Sequence, residues 1–285
     1  MIAVYNNKGG VGKTTTTLNL AATLSMLGKR VLAIDFDPNQ SDLGDALNLP
    51  PTKGKVLEIL ENKDADIREI ITPYKFEHPR LKEPLGFDVL LSDEELVSDL
   101  DEVKLRQRVK KHALLRVIEP IKYEYDYILI DAPPNWRIFS QRAIYAADVV
   151  LIPARHDNLH SLQNAAMAIT KLLPQVQQER NKGGDAAGPI ALPIFLNNAY
   201  RVSPAQLQLM HQAISQIIND GKKEGFNLTP YFYPKHKPGT LDQRMIHVPY
   251  MAHISKADFL HVPAAFAFKN ARDQYLNLVK EYFVQ

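Results

Sequence analysis

The chain has no cysteine and a single tryptophan among its 285 residues. Without cysteine there is no disulfide, zinc–thiolate site, iron–sulfur cluster or thiol nucleophile. That absence fits a cytosolic protein. The chain also lacks any apolar run of about 18 residues, the length a membrane-spanning helix needs. A secretory leader is not expected here, since the short apolar stretch Met1–Tyr5 is followed almost at once by the polar, glycine-rich Asn7–Gly12. Charge of one sign is scarce too, with 34 Lys and Arg against 32 Asp and Glu for a net +2. A balance that close neither requires nor excludes a nucleic-acid partner. The hydrophobic share is 45%, enough for a sizeable core.

Short β-branched runs alternate with helical stretches, a pattern that predicts an α/β fold with a mostly parallel sheet flanked by helices. Ile2–Tyr5, Val31–Ile34, Phe87–Leu91, Tyr127–Ile130, Val149–Ile152, Ile190–Leu196 and Leu228–Tyr233 read as strands. Thr14–Leu27, Lys53–Asn62, Lys104–Ile118, Ser161–Gln178, Pro204–Asn219 and Asn270–Phe283 read as helices, and Gly28 is placed to stop the first of them. The small polar run Asn181–Gly188 reads as a surface loop. No internal repeat or domain linker is visible, so residues 1–285 are expected to form one domain.

The run Lys8-Gly9-Gly10-Val11-Gly12-Lys13-Thr14 stands between the first strand and the first helix. A strand, a glycine-rich turn and a helix N-terminus in that order make a phosphate cradle. Glycine permits backbone N–H groups to converge on phosphate oxygens, and the helix presents the positive end of its dipole. In that reading Lys13 reaches the β- and γ-phosphates, the Thr14 hydroxyl ligates Mg²⁺, and Thr15 hydrogen-bonds the α-phosphate. A triphosphate with Mg²⁺ also needs carboxylates to place the metal and a water. Val31–Ile34 runs into Asp35-Phe36-Asp37-Pro38, and Tyr127–Ile130 ends in Asp131. Asp131 is a candidate for the metal, and Asp35 and Asp37, on one side of the same strand end, for placing the metal or the water. The plain alternative for Asp35–Pro38 is a solvated strand-end turn.

The usual phosphate-loop pattern G-x-x-x-x-G-K-[ST] is not met, because Asn7 stands at its first glycine and Lys8 opens the loop. KGGVGKT resembles the deviant Walker A motif of the ParA/MinD ATPases. The likeness extends through KGGVGKTTTTLNLAATLSMLGKRVLAIDFDPNQ and YDYILIDAPPN, where Ala132-Pro133-Pro134 matches the family's switch segment, and more weakly through AADVVLIPARHDNLHSLQNA. The resemblance implies a P-loop fold, ATP and Mg²⁺ as cofactors, and slow ATP hydrolysis. It implies that Lys8, Gly9, Gly10, Val11, Gly12, Lys13, Thr14 and Thr15 bind nucleotide, that Lys8 acts on the phosphates of a partner subunit, and that Asp37 orients water. Asn197 or Asn198 stands where related ATPases read adenine, though an asparagine there also suits a turn. The family pattern further implies a homodimer formed on ATP binding, nonspecific binding to nucleoid DNA, and a ParB-like or cargo-adaptor protein that stimulates hydrolysis. With a first strand at residue 2, a short member without an N-terminal DNA-reading domain is expected. Three departures stand out: Asp37-Pro38-Asn39-Gln40-Ser41 after the second strand, Asn135-Trp136-Arg137 after the two prolines, and Val248–His253 where an arginine-rich run is common.

The most basic stretch is Lys104–His112, with Lys222-Lys223 and Lys235-His236-Lys237 next. Leu105, Val109 and Ala113 repeat every four residues and should face the core, leaving the cations in solvent either as a DNA-binding surface or as an ordinary solvated face. Two rival classes remain. A MinD-like membrane protein would use its last helix as a lipid anchor, but Asn270–Phe283 has nearly balanced charge and reads better as a packed helix. A metabolic ATP-dependent enzyme on the same scaffold would need a substrate pocket that the sequence does not reveal.

Overall fold

The computed structural model describes residues 1–38, 40–50, 55–62, 64–79, 81–92, 102–184, 188–197, 202–237, 239 and 242–283. Asn39, Lys53 and Asn198 lie outside the described residues.

The chain runs β1 (Ile2–Val4), α1 (Lys13–Met26), β2 (Val31–Asp35), α2 (Asp42–Leu47), α3 (Lys55–Glu61), β3 (Ile71–Phe76) and β4 (Leu85–Leu90). It continues through α4 (Glu102–Arg108), α5 (Ala113–Ile118), β5 (Tyr127–Asp131), α6 (Ile138–Ala146), β6 (Val149–Arg155), α7 (Leu159–Met167), α8 (Leu173–Gly183) and β7 (Ile190–Asn197). It closes with α9 (Pro204–Lys223), α10 (Thr229–Phe232), β8 (Ile246–Val248), α11 (His253–Phe259), α12 (Ala264–Ala267) and α13 (Lys269–Tyr282). The eight strands form one sheet in the order β3-β4-β2-β5-β1-β6-β7-β8. Every pairing is parallel except β3 with β4, so this is the α/β architecture expected.

The central strands are buried on both faces, which is why their sequences are near-continuous Val, Ile and Leu. One apolar layer joins the sheet to α5, α6, α7 and α9, and the other joins it to α1, α12 and α13. Strand β1 sits between β5 and β6; the chain leaves β1 toward β2 on one side and later passes from β5 across it to β6 on the other. A ligand crevice opens at the strand tips where the winding reverses in this way, and the loop after β1 lies there. Helix α1 ends as Gly28 implies. Gly28 takes φ +75°, and Lys29 N–H donates to the Leu24 carbonyl at 3.1 Å.

Four expectations change. Leu228–Tyr233 is not a strand: Thr229–Phe232 is a helical turn, with Pro230 near its start and Leu228 and Phe232 buried at helical spacing. The edge of the sheet is β8 instead, and β3 and β8 were not anticipated. The Asn181–Gly188 run is not all loop, because α8 continues through Gly183 before Gly184 caps it at φ +77°. The expected Lys104–Ile118 helix is two helices. In an unbroken helix the Val109 carbonyl would accept from Ala113 N–H. Here it accepts from the Arg142 guanidinium at 2.8 Å, and Ala113 N–H turns to Lys110 at 3.1 Å. Leu105, Val109 and Ala113 are buried as the spacing required.

Candidate phosphate site

The loop between β1 and α1 is anchored at both ends by asparagines. Asn6 is fully buried, and its Nδ2 donates to the carbonyls of Pro153 at 2.8 Å and Ser161 at 3.1 Å. Asn164 Nδ2 donates to the Asn7 carbonyl at 2.9 Å. Asn197 Nδ2 donates to the Val11 carbonyl at 2.9 Å and contacts Thr16 Oγ1 at 3.3 Å. Gly10 and Gly12 take φ of +71° and +84°, the left-handed region in which a side chain is strained. Gly12 is doubly constrained, since a Cβ there would stand 2.7 Å from Asn197 Nδ2. No side chain caps the start of α1, and no acidic side chain in its first turn competes for the N–H groups there.

The sheet register brings the carboxylates to this loop. Asp131 pairs with Val4 on one side and Asp35 on the other, so both acids stand at the strand tips beside β1. Asp35 Oδ1 accepts from Asp37 N–H at 3.1 Å, and Ser92 Oγ donates to the Asp37 carbonyl at 3.0 Å, which folds the Asp35–Asp37 turn inward. Asp35, Asp37, Asp131 and Lys13 are all buried. Burial pushes the Asp131 carboxyl up to about 7, against the Thr14 hydroxyl and the Lys13 ammonium, which pull it down. Burial, then the Asp131 charge, hold Asp35 well above the carboxylate range. Burial lowers the pKa of Lys13, while Asp131, Asp37 and Asp42 support its charge. Asp131 Oδ1 and Asp35 Oδ2 are buried without a hydrogen-bond partner. Orphaned carboxylate oxygens beside a threonine hydroxyl and a lysine are a donor set suited to a hard divalent cation and its waters.

Lys13, Thr14, Asp35, Asp37 and Asp131 therefore converge as the sequence suggested. Lys8 does not join them: it is half-exposed on the loop and forms no ion pair among the described residues. Asn197 borders a cavity of about 200 Å³ with Gly10, Gly12, Thr15, Arg155 and Tyr275. Sequence reasoning missed Asn6, Asn164, Asp42 and Arg155. Asn6 adjoins the loop motif and could have been suspected. Asn164 lies on α7 and carries no local signal.

The fold and this loop define a P-loop nucleotide-binding protein. The family model AAA_31, an AAA domain, matches residues 1–183. The chromosome partitioning protein ParA of Myxococcus xanthus is 32% identical over 231 residues, covering 80% of this chain and 74% of that protein. The ATP complex of a Cyanothece McdA point variant superposes with a TM-score of 0.69 at 18% identity, over 100% of this chain and 96% of that one. The structure of pNOB8 ParA bound to nonspecific DNA superposes with a TM-score of 0.62 at 23% identity, over 99% and 98%. The chain belongs to the ParA/MinD family of P-loop ATPases.

Proposed function

We propose that this protein is a positioning ATPase: it binds Mg·ATP, closes into a sandwich dimer, holds nonspecific DNA on the nucleoid, and hydrolyses ATP slowly until a ParB-like or cargo-adaptor protein speeds turnover. The observation that carries the reading is the contrast between the two loop lysines. Lys13 is buried among carboxylates, whereas Lys8 is half-exposed on the same loop, without a carboxylate partner among the described residues. A cation left at the mouth of a phosphate cradle suits phosphates bound by a second copy of the chain. The sandwich also brings two copies of each basic surface together, which suits a polyanion.

In this reading the N–H groups of Gly9, Gly10, Val11 and Gly12 hold the phosphates, and Lys13 neutralises their developing charge. Thr15 fixes the α-phosphate. The nucleoside end enters the cavity bordered by Asn197, whose carboxamide oxygen takes no hydrogen bond among the described residues and suits an adenine amino group. Thr14, Asp131 and Asp37 hold Mg²⁺, which supplies neutralisation of the triphosphate. Asp37 also orients the attacking water, held by the Asp35 contact to its N–H. The McdA variant in complex with ATP and pNOB8 ParA on nonspecific DNA support the ligands by analogy of fold.

Light scattering with and without Mg·ATP tests the assembly step. Lys8→Ala should keep ATP binding and lose ATP-driven dimerisation, while Asp37→Ala should dimerise and turn over about a hundredfold slower. A Lys8→Ala protein that dimerises normally removes the trans role.

A further inference from the structure

Two aromatic rings line the cavity of about 200 Å³ beside the glycine loop, and they stand differently in it. Tyr275 on α13 is 1% exposed, and its hydroxyl meets the Thr16 side chain, so its ring is fixed in the wall. Tyr250 is 50% exposed and makes no hydrogen bond or ring contact among the described residues. It follows β8, within the Val248–His253 run that carries no arginine. A half-exposed tyrosine ring bordering a cavity keeps a large apolar surface for a bound molecule to cover.

The chain holds this ring in place from both sides. Val248 pairs with Asn197 in the β7–β8 register, which sets the start of the run beside the carboxamide that anchors the glycine loop. Pro249 follows, and its ring fixes the backbone as the strand ends. Val248 and Met251 are buried, and the Met251 carbonyl accepts from Ile254 N–H at 3.1 Å. Tyr250 thus stands on a backbone anchored before and after it, so little freedom is lost when its ring is covered. The rest of the lining is mixed in a particular way. Gly10, Gly12 and Thr15 bring the phosphate loop to the cavity, Pro249 and Met251 bring apolar surface, and Asn197 brings a carboxamide. A purine has the matching parts: flat faces and a polar edge.

We propose that Tyr250 is a specificity-determining residue of the nucleotide site, its ring stacking on the purine face of ATP while Asn197 meets the purine edge. The proposal rests on the reading that places the nucleoside end in this cavity, and it names the side chain that rewards the base. Stacking on an aromatic ring favours any base, because every base has a π-face. The glycine loop, Lys13 and a metal hold a polyphosphate chain by charge, whether or not a nucleoside is attached. Tyr250 is then what separates a nucleotide from a bare polyphosphate. The ring carries this role and the hydroxyl does not, since the hydroxyl has no partner among the described residues.

Calorimetric titration of the full chain with Mg·ATP, and separately with magnesium and inorganic tripolyphosphate, tests this in the parent, Tyr250→Ala and Tyr250→Phe. ATP affinity should fall about tenfold or more in Tyr250→Ala and return in Tyr250→Phe. Tripolyphosphate affinity should be the same in all three. The triphosphate of 2-aminopurine riboside, whose emission is quenched by stacking, should be dimmed at saturation by the parent and by Tyr250→Phe but not by Tyr250→Ala. An unchanged ATP affinity in Tyr250→Ala, an equal loss for ATP and tripolyphosphate, or a Tyr250→Phe protein as weak as Tyr250→Ala overturns the proposal. A parent that binds ATP without dimming the analogue overturns the stacking and leaves the nucleotide site standing. A parent that binds ATP no better than tripolyphosphate removes the nucleoside from this cavity, and Tyr250 with it.

Discussion

Asp131 shows what the fold demands of single residues. It is 3% exposed, and burial raises its carboxyl from 3.8 to about 7. The folded chain therefore keeps a proton that the unfolded chain releases between roughly pH 4 and 7. Stability present below that window is lost as the pH rises through it, and above it the buried charge is a net cost until a cation compensates. Asp131→Asn should accordingly raise the melting temperature of the nucleotide-free protein at pH 8 by a few degrees, about 1 kcal/mol or more. It should also flatten the loss of stability between about pH 4 and 7, and Mg·ATP should no longer stabilise the variant. Differential scanning calorimetry across that range reads all three. A slope unchanged from the parent would move the titration to another group, Asp35 first.

At the scale of elements, α13 decides between two fates for an amphipathic helix. Its apolar face is spent inside the protein: Ala271, Tyr275, Leu278 and Val279 are buried, and the Tyr275 hydroxyl meets the Thr16 side chain of α1. Tyr282 adds a hydrogen bond to the Pro193 carbonyl at 2.8 Å. A lipid anchor must offer that face to the bilayer, and among the described residues no helix is long and apolar enough to cross one. Tyr275→Ala should cost about 3–5 kcal/mol by denaturant titration, as for other buried aromatics. The unaltered chain should stay at the bottom of a liposome flotation gradient with ATP or ADP. ATP-dependent flotation would mean that α13 leaves its socket.

For the whole molecule, a net charge of +2 supplies little attraction to DNA. The basic surfaces are also partly neutralised: Arg108 pairs with Glu61, Lys111 with Glu179, Lys223 with Asp220 and Lys235 with Glu281. One copy should therefore bind DNA weakly, and two copies held rigidly by ATP far better, since the second set of contacts becomes intramolecular. Retention on DNA should require ATP and should fall with salt at a log–log slope of about −0.9 per phosphate engaged. Filter binding across a salt series measures it, and equal retention with ADP would remove the nucleotide switch from DNA binding.

Sequence alone determined the fold class and the β1–loop–α1 order, and it singled out Lys13, Thr14, Asp37 and Asp131, which the fold brings together. These are local signals: β-branched runs make buried parallel strands, glycines mark positive φ, and carboxylates at strand ends reach the crevice whatever lies beyond. It failed where the deciding partner was distant. The apolar residues of Leu228–Tyr233 fit a short strand as well as a helical turn with Leu228 and Phe232 on one face, and only the pairing of β7 with β8 decides which segment forms the sheet edge. The break between α4 and α5 depends on Arg142 taking a carbonyl 33 residues away, and the loop's anchor Asn164 bonds across 157. Burial likewise set the raised carboxyl of Asp131 and the half-exposed place of Lys8. A motif names which groups can meet a triphosphate. Only the packed chain decides which of them are dry, which are paired, and which stand open to a second molecule.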